Sequence, residues 1–268
     1  MSTTATDPRI NLQADLLSVV HDPSVSHIRL NRPAKRNALS DTLIELLRQA
    51  FNALPATTQA VVISGEGDHF CAGLDLAEMG EHDVAGGILH SRRWHAAFEQ
   101  IQFGRVPVIA VLHGAVVGGG LELASAAHIR VAETSAFYAL PEGQRGLFVG
   151  GGGSARIPRL VGVPCMTDMM MTGRVLTAEE GQQRGISQYL VEPGLGVKTA
   201  LALAHKVATN APLSNFAVMH ALPRIADLSQ SDGLFVESLM AAIAQGDGAA
   251  KGRMRAFLDG RAGKVKAA

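Results

Sequence analysis

Val108-Ile109-Ala110-Val111-Leu112-His113-Gly114-Ala115-Val116-Val117-Gly118-Gly119-Gly120-Leu121-Glu122-Leu123-Ala124-Ser125 joins a branched apolar run to three glycines and then to a segment of helical character. The run is short and rich in β-branched side chains, as a buried strand should be. Glycines at a strand-to-helix junction let the backbone approach a ligand closely, and the start of a helix leaves N–H groups without intrahelical partners. Working outward, similar short apolar stretches occupy residues 16–20, 26–31, 60–64 and 127–132. Helical patterns lie between several of them: Ser40 is placed to cap an amphipathic helix beginning near Thr42, and residues 90–101 carry apolar side chains at helical spacing. Alternation of this kind predicts an α/β core over residues 1–197. Beyond Val197 the strand signals fade and residues 200–208, 215–222, 235–244 and 249–258 read as helices, so residues 198–268 form a helical C-terminal region. No repeat and no low-complexity linker separates the two regions.

A chain of 268 residues can bury a sizeable core and predicts one large domain or one domain with an appendage. Hydrophobic residues make up 47% and charged residues 18%, with 24 Lys and Arg against 24 Asp and Glu, which excludes disorder. That neutral balance also argues against attraction of the whole surface to nucleic acid or an anionic membrane. The first ten residues lack a secretory pattern, and no apolar run approaches the roughly 20 residues of a membrane-spanning helix. Cys71 and Cys165 make neither a disulfide framework nor a metal-ligand spacing. A cytoplasmic protein without metal is the expectation.

Two further segments carry chemistry. Residues 65–79 form a glycine-punctuated loop directly after a strand, and residues 137–160 contain Pro141-Glu142 followed by the glycine run Gly150 to Gly153. Each glycine run alone is satisfied by a tight turn. None matches a G-x-x-x-x-G-K-[ST] loop, and none gives a G-x-G-x-x-G with the acidic residue it requires, so ATP and NAD are discounted. Glu122 alone reads as a first-turn acid complementing a helix dipole, and Glu142 as a solvated turn carboxylate. Both beside glycine-rich, apolar surroundings suit a pair that divides base and acid roles in adding or removing water.

Four segments, in order, carry a resemblance: Leu30-Asn-Arg-Pro-Ala-Lys-Arg-Asn37-Ala-Leu, Phe70-Cys-Ala-Gly-Leu-Asp75-Leu, Gly114-Ala-Val-Val-Gly-Gly-Gly-Leu-Glu122-Leu-Ala, and Leu140-Pro-Glu142 with Gly150-Gly-Gly-Gly-Ser-Ala-Arg156-Ile. They resemble the successive signatures of the crotonase superfamily, the enoyl-CoA hydratase/isomerase family, over about residues 14–262. The resemblance implies a crotonase-like fold of repeated ββα units, with a C-terminal helical region used in trimers and often in hexamers built from two trimers. It implies a CoA thioester substrate, coenzyme A being part of the substrate and not a cofactor. The thioester oxygen would rest between the N–H groups of Leu74 and Gly119, the oxyanion hole.

By the same resemblance Glu122 helps activate water, Glu142 is the partner acid/base, and Gly150 lies near both. Ala38, Ala72, Gly73, Asp75, Leu76 and Gly118 belong to the implied substrate-binding stretches. CoA recognition departs from the pattern: Asp68 and Ala77 stand where several relatives carry lysine, and Lys35, Arg36 or the tail residues Arg261 and Lys264, from this or another subunit, could substitute in meeting the phosphates, while each reads equally well as a solvated charge. Phe148-Val149 replaces an aliphatic residue and proline, which leaves the acyl pocket's shape open. His69 and His113 read as packing residues and Cys71 as a small buried filler. Residues 79–88 read as lining or covering the acyl site, or as a surface loop.

Retention of both glutamates favours reversible syn hydration of a trans-2-enoyl-CoA to a 3-hydroxyacyl-CoA. Double-bond isomerisation or another crotonase-type lyase or hydrolase reaction is the alternative within the enzymes. A catalytically silent CoA- or RNA-binding scaffold is the alternative outside them.

Overall fold

The computed structural model describes residues 15–78, 80 and 83–261, in two compact units divided between Ala208 and Thr209. In the first unit the strands are β1 (Leu17–His21), β2 (Val25–Leu30), β3 (Ala60–Gly65), β4 (Val108–Leu112), β5 (Ala115–Val117), β6 (Ile129–Glu133), β7 (Phe137–Ala139), β8 (Leu176–Thr177) and β9 (Tyr189–Val191). Its helices are α1 (Asp41–Asn52), α2 (Val84–Gln102), α3 (Gly119–Ala126), α4 (Gly153–Arg156), α5 (Pro158–Val161), α6 (Val163–Thr172), α7 (Ala178–Gln183) and α8 (Gly196–Ala208). The main sheet runs β1-β2-β3-β4-β6-β9, parallel except for the β1–β2 hairpin. A smaller sheet runs β5-β7-β8, with β5 and β7 parallel. Successive β4, β5 and α3 make a ββα step, and β6, β7 and the helices after them begin another.

Alternation along each strand decides which helices cover it. Ile28, Leu30, Val61, Ile63, Ala110 and Leu112 face one side, where they pack with Leu43, Leu47 and Phe51 of α1, Phe98 and Ile101 of α2, and Leu121 of α3. Val25, Val62, Ile109, Val111 and Val131 face the other side and meet Ala200 and Ala204 of α8. Strand β4 is therefore buried on both faces and shows no polar alternation. Ser40 caps α1 as its sequence suggests, accepting from Leu43 N at 3.2 Å, and the helix buries Leu43, Ile44, Leu46, Leu47, Ala50 and Phe51.

Five of these strands were expected, within two residues at each end. Strands β5, β7, β8 and β9 span only two or three residues each, too few for a periodic signal. The expected boundary at residue 197 falls inside α8, whose Ala200 and Ala204 lie against the sheet, so the first unit extends to Ala208. In the second unit the elements are α9 (Pro212–Phe216), a π-helical turn Ala217–Ala221, α10 (Leu222–Ala226), α11 (Gln230–Gly246) and α12 (Gly248–Leu258). No helix among the described residues is long and apolar enough to cross a membrane.

Candidate active site

The loops that follow β3, β5 and β7 meet at one cavity of about 290 Å³. Residues 71–74, after β3, run alongside the end of β5: Cys71 N donates to Ala115 O at 3.0 Å and Val117 N to Cys71 O at 3.0 Å. The contact requires glycine at 73, whose φ is +95° and whose Cβ would sit 2.8 Å from Val117 O. This brings Leu74 beside the first turn of α3, so that a methyl group on Gly119 would lie 3.5 Å from Leu74 N. Among the described residues neither the Leu74 nor the Gly119 N–H has an acceptor, and both residues line the cavity. Trp94 of α2 closes the floor beside them, its indole donating to Asp41 Oδ1 at 3.3 Å.

Glu122 stands on the first turn of α3, buried, with its carboxylate across the cavity wall from the loop before α4. Its Oε1 accepts from Gly151 N and Gly153 N, both at 2.8 Å. Burial raises the Glu122 pKa above the ordinary carboxylate range, and the two N–H groups and the Arg156 charge offset only part of that.

Glu142 follows Pro141 beyond β7. Its Oε2 is buried without a partner among the described residues, and its Oε1 lies against Gly118, where a Cβ would approach to 2.6 Å. Burial raises its pKa, and the nearby Glu122 charge adds to the effect while Arg145 opposes it. A buried, unpartnered carboxyl oxygen in a cavity is stabilised by protonation or by a ligand's hydrogen bond. The site thus holds two carboxyl groups of raised proton affinity facing two free N–H donors, an arrangement suited to moving protons beside a developing oxyanion.

The enoyl-CoA hydratase/isomerase family model matches residues 21–264. The chain belongs to this family. It is 34% identical to the 2,3-dehydroadipyl-CoA hydratase of Escherichia coli (strain K12) over 82% of this chain and 87% of the relative. A solved structure from Rhodopseudomonas palustris CGA009, provisionally assigned as an enoyl-CoA hydratase, shares 56% identity and superposes with a TM-score of 0.90 over 97% of this chain and 98% of that one. The enoyl-CoA hydratase of Bacillus anthracis shares 30% identity with a TM-score of 0.86, over 93% of this chain and 98% of that one. The fold is the crotonase fold, and the chain is an enzyme of crotonase type.

In this crotonase-type enzyme the cavity brings together Ala72, Gly73, Leu74, Leu76, Gly118, Gly119, Glu122, Glu142 and Gly150. Lys35, Arg36, Ala38 and Asp75 do not line it. Asp75 is buried, 3.1 Å from the Arg32 guanidinium and 3.6 Å from Lys35 Nζ. Burial alone would raise its pKa, but Arg32, Lys35 and the Ala77 N–H together hold it below the ordinary range. Arg32 also donates to Ala38 O at 2.7 Å, and buried Asn37 donates to Glu66 O and His69 O, so these residues tie the segment around 35–38 to the loop after β3.

His69 accepts from Ala115 N at 3.0 Å and His113 lies 2.9 Å from Gly67 O, both holding loops. The Cys71 thiol is pushed up to about 12 by burial. Arg261 is exposed and pairs with Asp259 at 2.6 Å, and Lys264 lies outside the described residues. Met79, Glu81 and His82 of the stretch 79–88 lie outside them too, while Gly87 lines the cavity. Among the described residues no group of three His, Cys, Asp or Glu side chains could hold a metal ion.

Sequence reasoning missed the contribution of α2. His90, Ser91 and Trp94 line the cavity, and Ser91 donates to Gly150 O at 2.6 Å. These residues follow the apolar period of a core helix, which hides their role; the single tryptophan of the chain was the available signal.

Proposed function

We propose that this enzyme is an enoyl-CoA hydratase that adds water reversibly, with syn geometry, to a trans-2-enoyl-CoA. The observation that carries the reading is the convergence of Glu122 and Glu142 on one cavity with the N–H groups of Leu74 and Gly119, which have no acceptor among the described residues. The relative named for 2,3-dehydroadipyl-CoA hydration supports the same class of substrate.

In this mechanism the thioester oxygen accepts from Leu74 N–H and Gly119 N–H, which polarises the C2=C3 bond. Ionised Glu122 holds a water molecule and takes its proton as the oxygen bonds to C3. The π electrons pass to the thioester oxygen, where the two donors stabilise the enolate by about 3 kcal/mol each. Protonated Glu142 then delivers a proton to C2, and exchange of one proton between the carboxyl groups restores the starting state. Burial favours the protonated form of Glu142 that this step requires. No cofactor enters beyond the CoA carried by the substrate, and the acyl compartment is bounded by Trp94, Leu76, Leu147 and Phe148.

Incubation with a trans-2-enoyl-CoA in ¹⁸O-labelled water tests the reading. Label in a 3-hydroxyacyl-CoA product is expected; a shifted double bond without label would make the enzyme an isomerase.

A further inference from the structure

The loop that holds Glu122 is itself held. Gly151 presents its N–H to Glu122 Oε1 and its carbonyl to Arg156 Nη1 at 2.9 Å, so one residue, through its two flanking peptide groups, links the carboxylate to the guanidinium. The Arg156 side chain cannot swing away freely, because its Nε donates to Gln102 Oε1 at 2.6 Å on the last turn of α2. Gly152 adopts a φ of +94°, and a methyl group there would overlap the Arg156 guanidinium, so the loop closes tightly around it. Ser91 fixes the preceding carbonyl, Gly150 O, from the same helix.

We propose that Arg156 is the positioning residue of this site: clamped by Gln102, it holds the Gly151 carbonyl and so aims the Gly151 and Gly153 N–H groups that orient Glu122 toward the cavity. The inference rests on the reading of Glu122 as the carboxylate that directs water. It also gives Arg156 an electrostatic part, since its charge favours ionised Glu122 while Glu122 and Glu99 favour charged Arg156. The other charged or titratable groups around the pair are His95, Arg92 and Glu99 on α2, and Glu142 and Arg145 on the loop after β7.

Arg156→Gln keeps hydrogen-bonding capacity but removes the charge and the planar fork. With Glu122 misaligned, kcat for enoyl-CoA hydration should fall about 10²-fold with KM within about twofold. Loss of the cation raises the Glu122 pKa, so the acid limb of the kcat/KM profile moves to higher pH. Arg156→Lys keeps the charge without the fork; its acid limb should stay at the wild-type position while kcat recovers part of the loss.

A folded Arg156→Gln enzyme with wild-type kcat and an unmoved acid limb overturns the proposal. So does a loss shared between KM and melting temperature with no movement of the limb, which marks a merely structural residue. If Arg156→Gln does not fold, Gln102→Leu, which frees the guanidinium, must lower kcat with KM held, and an unchanged kcat there overturns it equally. Glu122→Gln run alongside separates the two readings. Wild-type turnover in Glu122→Gln removes the role of Glu122 itself; an inert Glu122→Gln beside an unaffected Arg156→Gln removes only the role of Arg156.

Discussion

Glu122 and Glu142 are the same residue type made different by their neighbours. Glu122 accepts two backbone N–H groups on one oxygen, and Glu142 keeps an unpartnered buried oxygen. Replacing either by Gln is expected to lower hydration by about 10²-fold or more while CoA-product binding is retained, measured by steady-state rates and calorimetric titration. Glu142→Gln has a second consequence. The folded-state pKa of Glu142 lies above its unfolded value, so its protonation stabilises the fold below the unfolded pKa and that stability is lost as pH rises through the folded pKa. Glu142→Gln should therefore melt higher than the parent at neutral pH, with the gain vanishing at acid pH; equal melting curves at both pH values would contradict the burial argument. Gly118 adopts φ +52° and ψ −123° beside the Glu142 carboxyl group. Gly118→Ala adds backbone strain of about 1–3 kcal/mol and displaces that carboxyl, so chemical denaturation and turnover should both register the loss.

At the scale of elements, the junction of β5 and α3 decides the site. Gly119 opens the helix, so its N–H has no intrahelical acceptor, and Leu74 is set beside it by the pairing of residue 71 with β5. Gly119→Pro removes a donor, and hydration should collapse. Gly119→Ala keeps the N–H but places a methyl group 3.1 Å from Trp94 Cζ3, so it should fold and retain part of the rate. Wild-type turnover in a folded Gly119→Pro enzyme would exclude an oxyanion donor at this position. The long elements were legible because α1 repeats its apolar stripe over three turns and β4 is a continuous apolar run. Strand β7, three residues long, carried no such pattern; its partners define it.

At the scale of the whole molecule, the second unit leaves Phe216, Leu222, Phe235, Leu239, Ile243 and Phe257 exposed on the single chain. Apolar exposure of this kind argues for burial against further copies, and the expected outcome is a trimer or hexamer by sedimentation. A stable, active monomer at assay concentration would overturn that expectation. Periodicity and motif order, which are properties of neighbours in the chain, pointed to the α/β core, the helical end and Glu122 and Glu142 as candidate residues. They could not show that α2 supplies the cavity floor through Trp94, that Asp75 is turned toward Arg32, or that Arg156 grips the loop holding Glu122. Those facts depend on which surfaces meet on folding: Arg156 reaches Gly151 only 5 positions away, but that grip bears on the site because Glu122 meets Gly151 29 positions on and Gln102 meets Arg156 54 positions on. Local spacing encodes the shape of each element; only packing selects the side chain from another element that completes its hydrogen bonds.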